Sequence, residues 1–139
     1  MSIDWDELTA RAIEAMEQAY CPYSRFPVGA AGLTADGRIV SGSNVENASY
    51  GCGLCAECSM VSDLVRTGGG RLVAVACVDS SRTPVAPCGR CRQVIYEHGG
   101  DDCVVLMPAG LMPMSKVLPG AFGPDDLDRS TLPAPPTRG

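Results

Sequence analysis

A chain of 139 residues, 45% hydrophobic and 19% charged, is long enough to bury one hydrophobic core without disulfide support. Its net charge of −5 argues against a polyanionic partner such as duplex DNA, which requires clustered Lys and Arg. No apolar run approaches membrane-spanning length, and the acidic opening MSIDWDE is unlike the basic start of a secretory signal.

In chain order, Asp4 followed by Glu7 has capping-box spacing, and Leu8, Ala12, Ala15, Met16 and Ala19 then recur at helical intervals. A helix is predicted over residues 4–20, stopped by Pro22. PVGAAGL and RIVSGS flank Ala35-Asp36-Gly37 and predict a β-hairpin. Met60, Val61, Leu64 and Val65 give an apolar face to a helix over 55–67, ended by Gly68-Gly69-Gly70. LVAVACV at 72–78 is a continuous apolar run rich in β-branched residues, as in a strand covered on both faces. A helix over 88–98 leads through Gly99-Gly100 to a buried strand, CVVLM, at 103–107. Strand, helix, strand with short connections is a crossover unit, so these two strands run parallel. The elements assemble into an α/β domain over residues 1–128, a mixed sheet between helices. Residues 129–139 lack periodicity and read as a disordered tail. Trp5 reads as packing, and His98 as a complement to its helix dipole.

Eight cysteines would suit a secreted disulfide scaffold, but Cys77 and Cys103 fall inside apolar strands and others form tight C-x-x-C pairs. Without a signal peptide, such pairs point to metal or redox chemistry in a reducing compartment, the cytoplasm. Two clusters are separated in sequence: Cys52, Cys55 and Cys58, then Cys88 and Cys91 after Pro87. Paired C-x-x-C units at a distance are a strong zinc pattern, since thiolates suit zinc and four ligands close a tetrahedron. A closed structural site built from Cys55, Cys58, Cys88 and Cys91 is one reading. A dithiol redox pair is weaker, because neither pair follows the strand that a thioredoxin-like motif requires.

Three features favour an open catalytic site instead. Both clusters open predicted helices, where free N–H groups and the helix dipole stabilise thiolate. Glu57 lies inside the first cluster; a glutamate is ordinarily a solvated surface residue, but a carboxylate beside zinc is what activating water requires. Finally, Cys55-Ala-Glu57 followed by Pro87-Cys88-x-x-Cys91 matches the signature of zinc nucleobase deaminases.

Five blocks extend the match: Pro22-Tyr-Ser-Arg-Phe26-x-Val-Gly29-Ala, Asn44-Val-Glu46-Asn47-Ala-Ser-Tyr50, Cys55-Ala-Glu57, Pro87-Cys88-Gly-Arg-Cys91-Arg-Gln93 and Leu118-Pro-Gly-Ala-Phe122. In this order, from residue 20 to about residue 127, the chain resembles the small homotetrameric zinc-dependent cytidine deaminases of pyrimidine salvage. The resemblance implies a three-layer αβα fold with a mixed sheet of about five strands. It implies one zinc per chain held by Cys55, Cys88 and Cys91, with water in the fourth position. Water attacks C4 of cytosine, Glu57 carries the protons, and ammonia leaves. It also implies a pocket lined by Phe26, Tyr50 and Ala56, with Asn44 and Glu46 on the ribose 3′-hydroxyl, so that deoxycytidine is a substrate too. Phe122 would reach across a subunit boundary and stack on the base in a neighbour's site.

One departure stands out, because Cys58 occupies a position where the family commonly has arginine. At i+3 from Cys55 it is expected near the same helix face, as a neutral thiol beside the ligands, with Arg90 or Arg92 compensating the thiolate charge. A fourth thiolate would displace water and abolish the chemistry. Cys21, Cys52, Cys77 and Cys103 are expected to be small buried hydrophobes. The rival of another class is a non-catalytic zinc module closed by four cysteines. Among deaminases, a blasticidin- or polynucleotide-type substrate is the runner-up, and Asn44 with Glu46 favours a free nucleoside.

Overall fold

The computed structural model describes residues 2–127, so the tail expected over 129–139 lies outside the described residues. The first helix, α1, spans Trp5–Met16, and its N-cap Asp4 accepts the Glu7 N–H at 3.0 Å. Leu8, Ala12, Ala15 and Met16 are its buried face, as the spacing predicts. The helix ends four residues earlier than expected, because Tyr20 is taken into another structure. Its N–H donates to the Asn44 carbonyl at 3.0 Å, and its carbonyl accepts from Glu46 N–H at 2.8 Å. Those long-range bonds take the place of a last helical turn.

Strands β1 (Gly29–Thr34) and β2 (Ile39–Ser43) form the expected hairpin, with Gly37 at φ 92° in the turn. The second helix, α2, spans Ala56–Arg66; β3 spans Leu72–Val78; the third helix, α3, spans Gly89–Gly99; and β4 spans Val104–Met107. The sheet order is β2-β1-β3-β4, completed by a fifth strand β5 (Gly110–Pro113) at the edge. β3 and β4 pair in parallel and the other neighbours are antiparallel. Neither β5 nor the short helix α4 (Met114–Val117) is anticipated by the sequence. GLMP is too short and too poor in β-branched residues to announce a strand; it pairs because Gly110, at φ 126°, folds it back on β4.

The fold is three layers, as the αβα expectation has it. Helix α1 covers one face through Ala31, Ala74, Ala76 and Val78. Helices α2, α3 and α4 cover the other through Ala30, Val40, Leu72, Val75, Cys77 and Val105. Buried on both faces, β3 explains the unbroken LVAVACV run. Cys77 and Cys103 are buried as expected, whereas Cys52, in the short 3-10 turn Tyr50–Cys52, is exposed and Cys21, in the loop after α1, partly so, both outside either core. Val65, expected on the apolar face of α2, is exposed. No helix among the described residues is long and apolar enough to cross a membrane.

One consequence of this topology positions the site. Strands β2 and β3 both run antiparallel to β1, and hence parallel to each other. Each leads into a helix on the same face, β2 into α2 and β3 into α3. Both helix N-termini are thereby brought to one end of the sheet.

Candidate active site

Cys55 is the N-cap of α2 and Cys88 the N-cap of α3, and Cys91 lies in the first turn of α3. Their sulfurs converge: Cys55 Sγ is 4.0 Å from Cys88 Sγ, which is 3.3 Å from Cys91 Sγ, and all three lie within 4.8 Å of one another. Tetrahedral zinc with Zn–S of about 2.3 Å holds its sulfurs about 3.8 Å apart, so the trio fits that ion. The chemistry of the donors agrees. Burial raises the Cys55 and Cys91 pKa values, and the nearby Glu57 carboxylate pushes both further up. Burial opposes ionisation of Cys88 too, but the Cys91 N–H and thiol outweigh it and bring Cys88 below its ordinary value. Three thiols this close together, with Cys91 buried and a carboxylate beside them, can ionise together only with a cation between them. The two N-terminal helix dipoles add favourable potential at the same point.

Glu57 is in the first turn of α2 and only 4% exposed. Desolvation raises its pKa, partly offset by its own N–H and by the thiols of Cys77 and Cys91. A carboxyl with raised proton affinity beside these thiols is suited to taking up and releasing protons.

These groups floor a cavity of about 390 Å³, within the usual range for small-molecule sites. Its walls include Phe26, Asn44, Glu46, Tyr50 and Ala56, which the sequence singles out. They also include Val28, Val45, Leu54, Val85 and Ala86, which it does not. The only signal for Val45 is its place between Asn44 and Glu46; Val85 is drawn in because its N–H donates to the Cys77 carbonyl at 3.0 Å.

A scan of family models matches residues 3–107 to the "cytidine and deoxycytidylate deaminase zinc-binding region". The chain is 54% identical over 127 residues to the cytidine deaminase of Mycobacterium tuberculosis, covering 91% of this chain and 96% of that protein. It is 42% identical over 131 residues to that of Halalkalibacterium halodurans, covering 91% and 99% respectively. The chain belongs to the cytidine and deoxycytidylate deaminase family. Crystal structures agree: cytidine deaminase from M. tuberculosis superposes with TM-score 0.85 at 53% identity, covering 88% of this chain and 99% of that one. That from M. leprae gives 0.84 at 55%, covering 85% and 99%. The family is zinc-dependent, and its reaction is hydrolytic deamination at a C–N bond.

Within this deaminase, Asn44 and Glu46 each hold a loop with part of the side chain and keep the rest for the cavity. Asn44 Oδ1 accepts from Val28 N–H at 2.8 Å and its Nδ2 donates to the Phe26 carbonyl at 3.0 Å. Glu46 Oε1 accepts from the N–H groups of Tyr23 and Ser24 at 3.0 and 3.1 Å. Hydrogen bonds from the Ser24 hydroxyl and N–H lower its pKa, so it stays ionised. Phe26 is 48% and Tyr50 81% exposed, the latter meeting Tyr23 edge-on with centroids 6.0 Å apart.

Cys58, Arg90, Arg92 and Phe122 stand outside the sulfur cluster and are not in the wall of this chain's cavity. Cys58 does not join the sulfur cluster; it lines a separate depression with Leu54, Ser59 and Ser62. Cys55 is a cap in extended conformation (ψ 153°), so helical spacing alone does not fix the direction of its side chain relative to Cys58. Arg90 is exposed, and Arg92 spends its guanidinium on carbonyls, donating from Nε to Pro87 at 2.9 Å and from Nη1 to Val117 at 3.0 Å. Arg92 thus ties down the loop entering Cys88 rather than touching a sulfur. Phe122 is 55% exposed and absent from the walls of its own chain's cavity.

Proposed function

We propose that this deaminase hydrolyses cytidine and 2′-deoxycytidine to the corresponding uridine nucleosides and ammonia, as a cytoplasmic homotetramer with shared active sites. The observation that carries the reading is the meeting of three thiol ligands and the buried Glu57 carboxyl on the floor of one cavity. When bound, zinc supplies the Lewis acidity that makes water a competent nucleophile at neutral pH. The chain's own groups do the rest. Glu57 takes a proton from the attacking water and delivers it to ring N3, then takes the second proton from the new C4 hydroxyl and passes it to the amino group, which leaves as ammonia as the C4 carbonyl forms. Ala56, fully buried in the same helical turn, closes the floor of the cavity with a small side chain.

A free nucleoside fits better than a phosphorylated one. The second oxygen of Glu46 and the remaining Asn44 amide hydrogen suit a ribose hydroxyl, which donates and accepts. An ionised Glu46 in the wall repels a phosphate. Three ligand thiols among eight free cysteines favour a reducing compartment.

Support for shared sites comes from the aromatic residues. Phe26 offers one face to a base, cytosine has two, and Phe122 is exposed away from its own cavity. Phe122→Ala should weaken nucleoside binding by about 1–3 kcal/mol, the scale of base–aromatic stacking. Cytidine turnover with and without a zinc chelator tests the activity. Mixing Glu57→Gln chains with Phe122→Ala chains tests the sharing: mixed tetramers that recover no activity above the Phe122→Ala baseline would sink it.

A further inference from the structure

The segment that carries Phe122 has no regular secondary structure, yet it is held at three points. The Gln93 amide donates from Nε2 to the Phe122 carbonyl at 2.7 Å. The next residue, Gly123, donates its N–H to Asp126 Oδ2 at 2.8 Å. Gly123 also lies so close on the Tyr96 ring that a Cβ there would sit 2.8 Å from Cε2. Gln93 and Tyr96 are three residues apart on α3, and so on one helix face. The helix that presents Cys88 and Cys91 at its N-terminus therefore grips, from its middle, the segment that displays an exposed aromatic ring.

We propose that Gln93 is a positioning residue for nucleoside binding: its amide holds the Phe122 backbone so that the ring is already posed for the neighbouring subunit's cavity. This rests on the reading of Phe122 as the ring that completes a neighbour's site. The bond is poorly explained by stability alone. The Phe122 carbonyl is at the surface, where water replaces a lost donor at little cost. What water cannot replace is the fixed pose, and ordering a mobile ring at the moment of binding lowers affinity. Because α3 carries metal ligands of one site and the tether for the next, each helix would serve two active sites.

The test is a double-mutant cycle in the zinc-loaded full-length enzyme, using Gln93→Leu, Phe122→Ala and the pair, with KM and kcat for cytidine, zinc per chain and oligomeric mass measured for each. Gln93→Leu should raise KM by about 3- to 10-fold, the reach of one hydrogen bond. The change should be concentrated in KM rather than kcat, with zinc and assembly retained. Added to Phe122→Ala, it should raise KM no further, since residues acting as one unit are not additive. Gln93→Glu keeps the size and removes the donor, and should reproduce the KM effect if the leucine variant folds poorly. A KM increase of equal size in the Phe122→Ala background would overturn the proposal, as would loss of zinc or an unchanged KM. Phe122→Ala without effect would instead remove the shared-site reading, and the proposal with it.

Discussion

Gly42 in β2 decides how closely α2 sits on the sheet, and Gly42→Ala tests whether that distance sets the geometry of the metal site. A Cβ at this position would lie 2.3 Å from Met60 N, 2.5 Å from the Ala56 carbonyl oxygen and 2.7 Å from Ser59 C. All three are backbone atoms of the first turns of α2, so no side chain can rotate out of the way. Ordinary contact begins near 3.4 Å, so α2 must withdraw by about 1 Å. Overpacking of this kind costs about 1–3 kcal/mol of stability. Cys55 and Glu57 ride on the same turns, whereas Cys88 and Cys91 on α3 stay in place. A displacement of ~1 Å at reacting groups lowers the rate on the order of 10²-fold. The assay compares denaturation midpoint, zinc affinity by competition with a chelator, and kcat/KM at a temperature where the variant is folded. Gly99→Ala is the control: its Cβ would meet Cys103 Cβ at 2.6 Å, at the C-terminal end of α3 away from the ligands. It should lose stability and keep both zinc affinity and kcat/KM. If Gly42→Ala loses stability but keeps zinc affinity and kcat/KM, the close approach of α2 does not set the site. If Gly99→Ala loses them equally, overpacking itself is responsible.

Alanine at Cys55, Cys88 or Cys91 should abolish stoichiometric zinc and lower the melting temperature, because such sites couple metal binding to folding. Cys58→Ala should retain one zinc per chain by metal analysis; equal loss in that variant would contradict the three-sulfur cluster. Glu57→Gln should keep zinc and fold while losing at least ~10²-fold in turnover, and undiminished turnover would remove Glu57 from the chemistry. The pKa of Glu46 is lowered in the folded chain, chiefly by the Ser24 hydroxyl and its N–H. Its contribution to stability is therefore present above the ordinary carboxylate value of about 4.3 and disappears as pH falls through the lower folded value. The melting-temperature gap between the parent and Glu46→Gln should shrink in acid; a gap that widens there would contradict the hydrogen bonding described.

Several features are legible in the sequence because they depend on neighbours along the chain. The Asp4 cap, the α1 face of Leu8, Ala12, Ala15 and Met16, the hairpin turn at Gly37 and the doubly covered β3 all follow from local periodicity and turn chemistry. So do the donor types, since Cys55 with Glu57 and Cys88 with Cys91 each stand at the opening of a helix. What local pattern cannot state is which distant groups meet. Helix α1 stops at Met16 because Tyr20 finds partners at Asn44 and Glu46, more than twenty residues away. Strand β5 exists because β4 offers an open edge. Cys58 shares its sequence cluster with Cys55 but stands outside the sulfur trio, which spacing alone could not state. The site itself is a product of topology: β2 and β3 flank β1 in the same direction, and only that arrangement carries the N-termini of α2 and α3 to one end of the sheet, where their sulfurs share one centre.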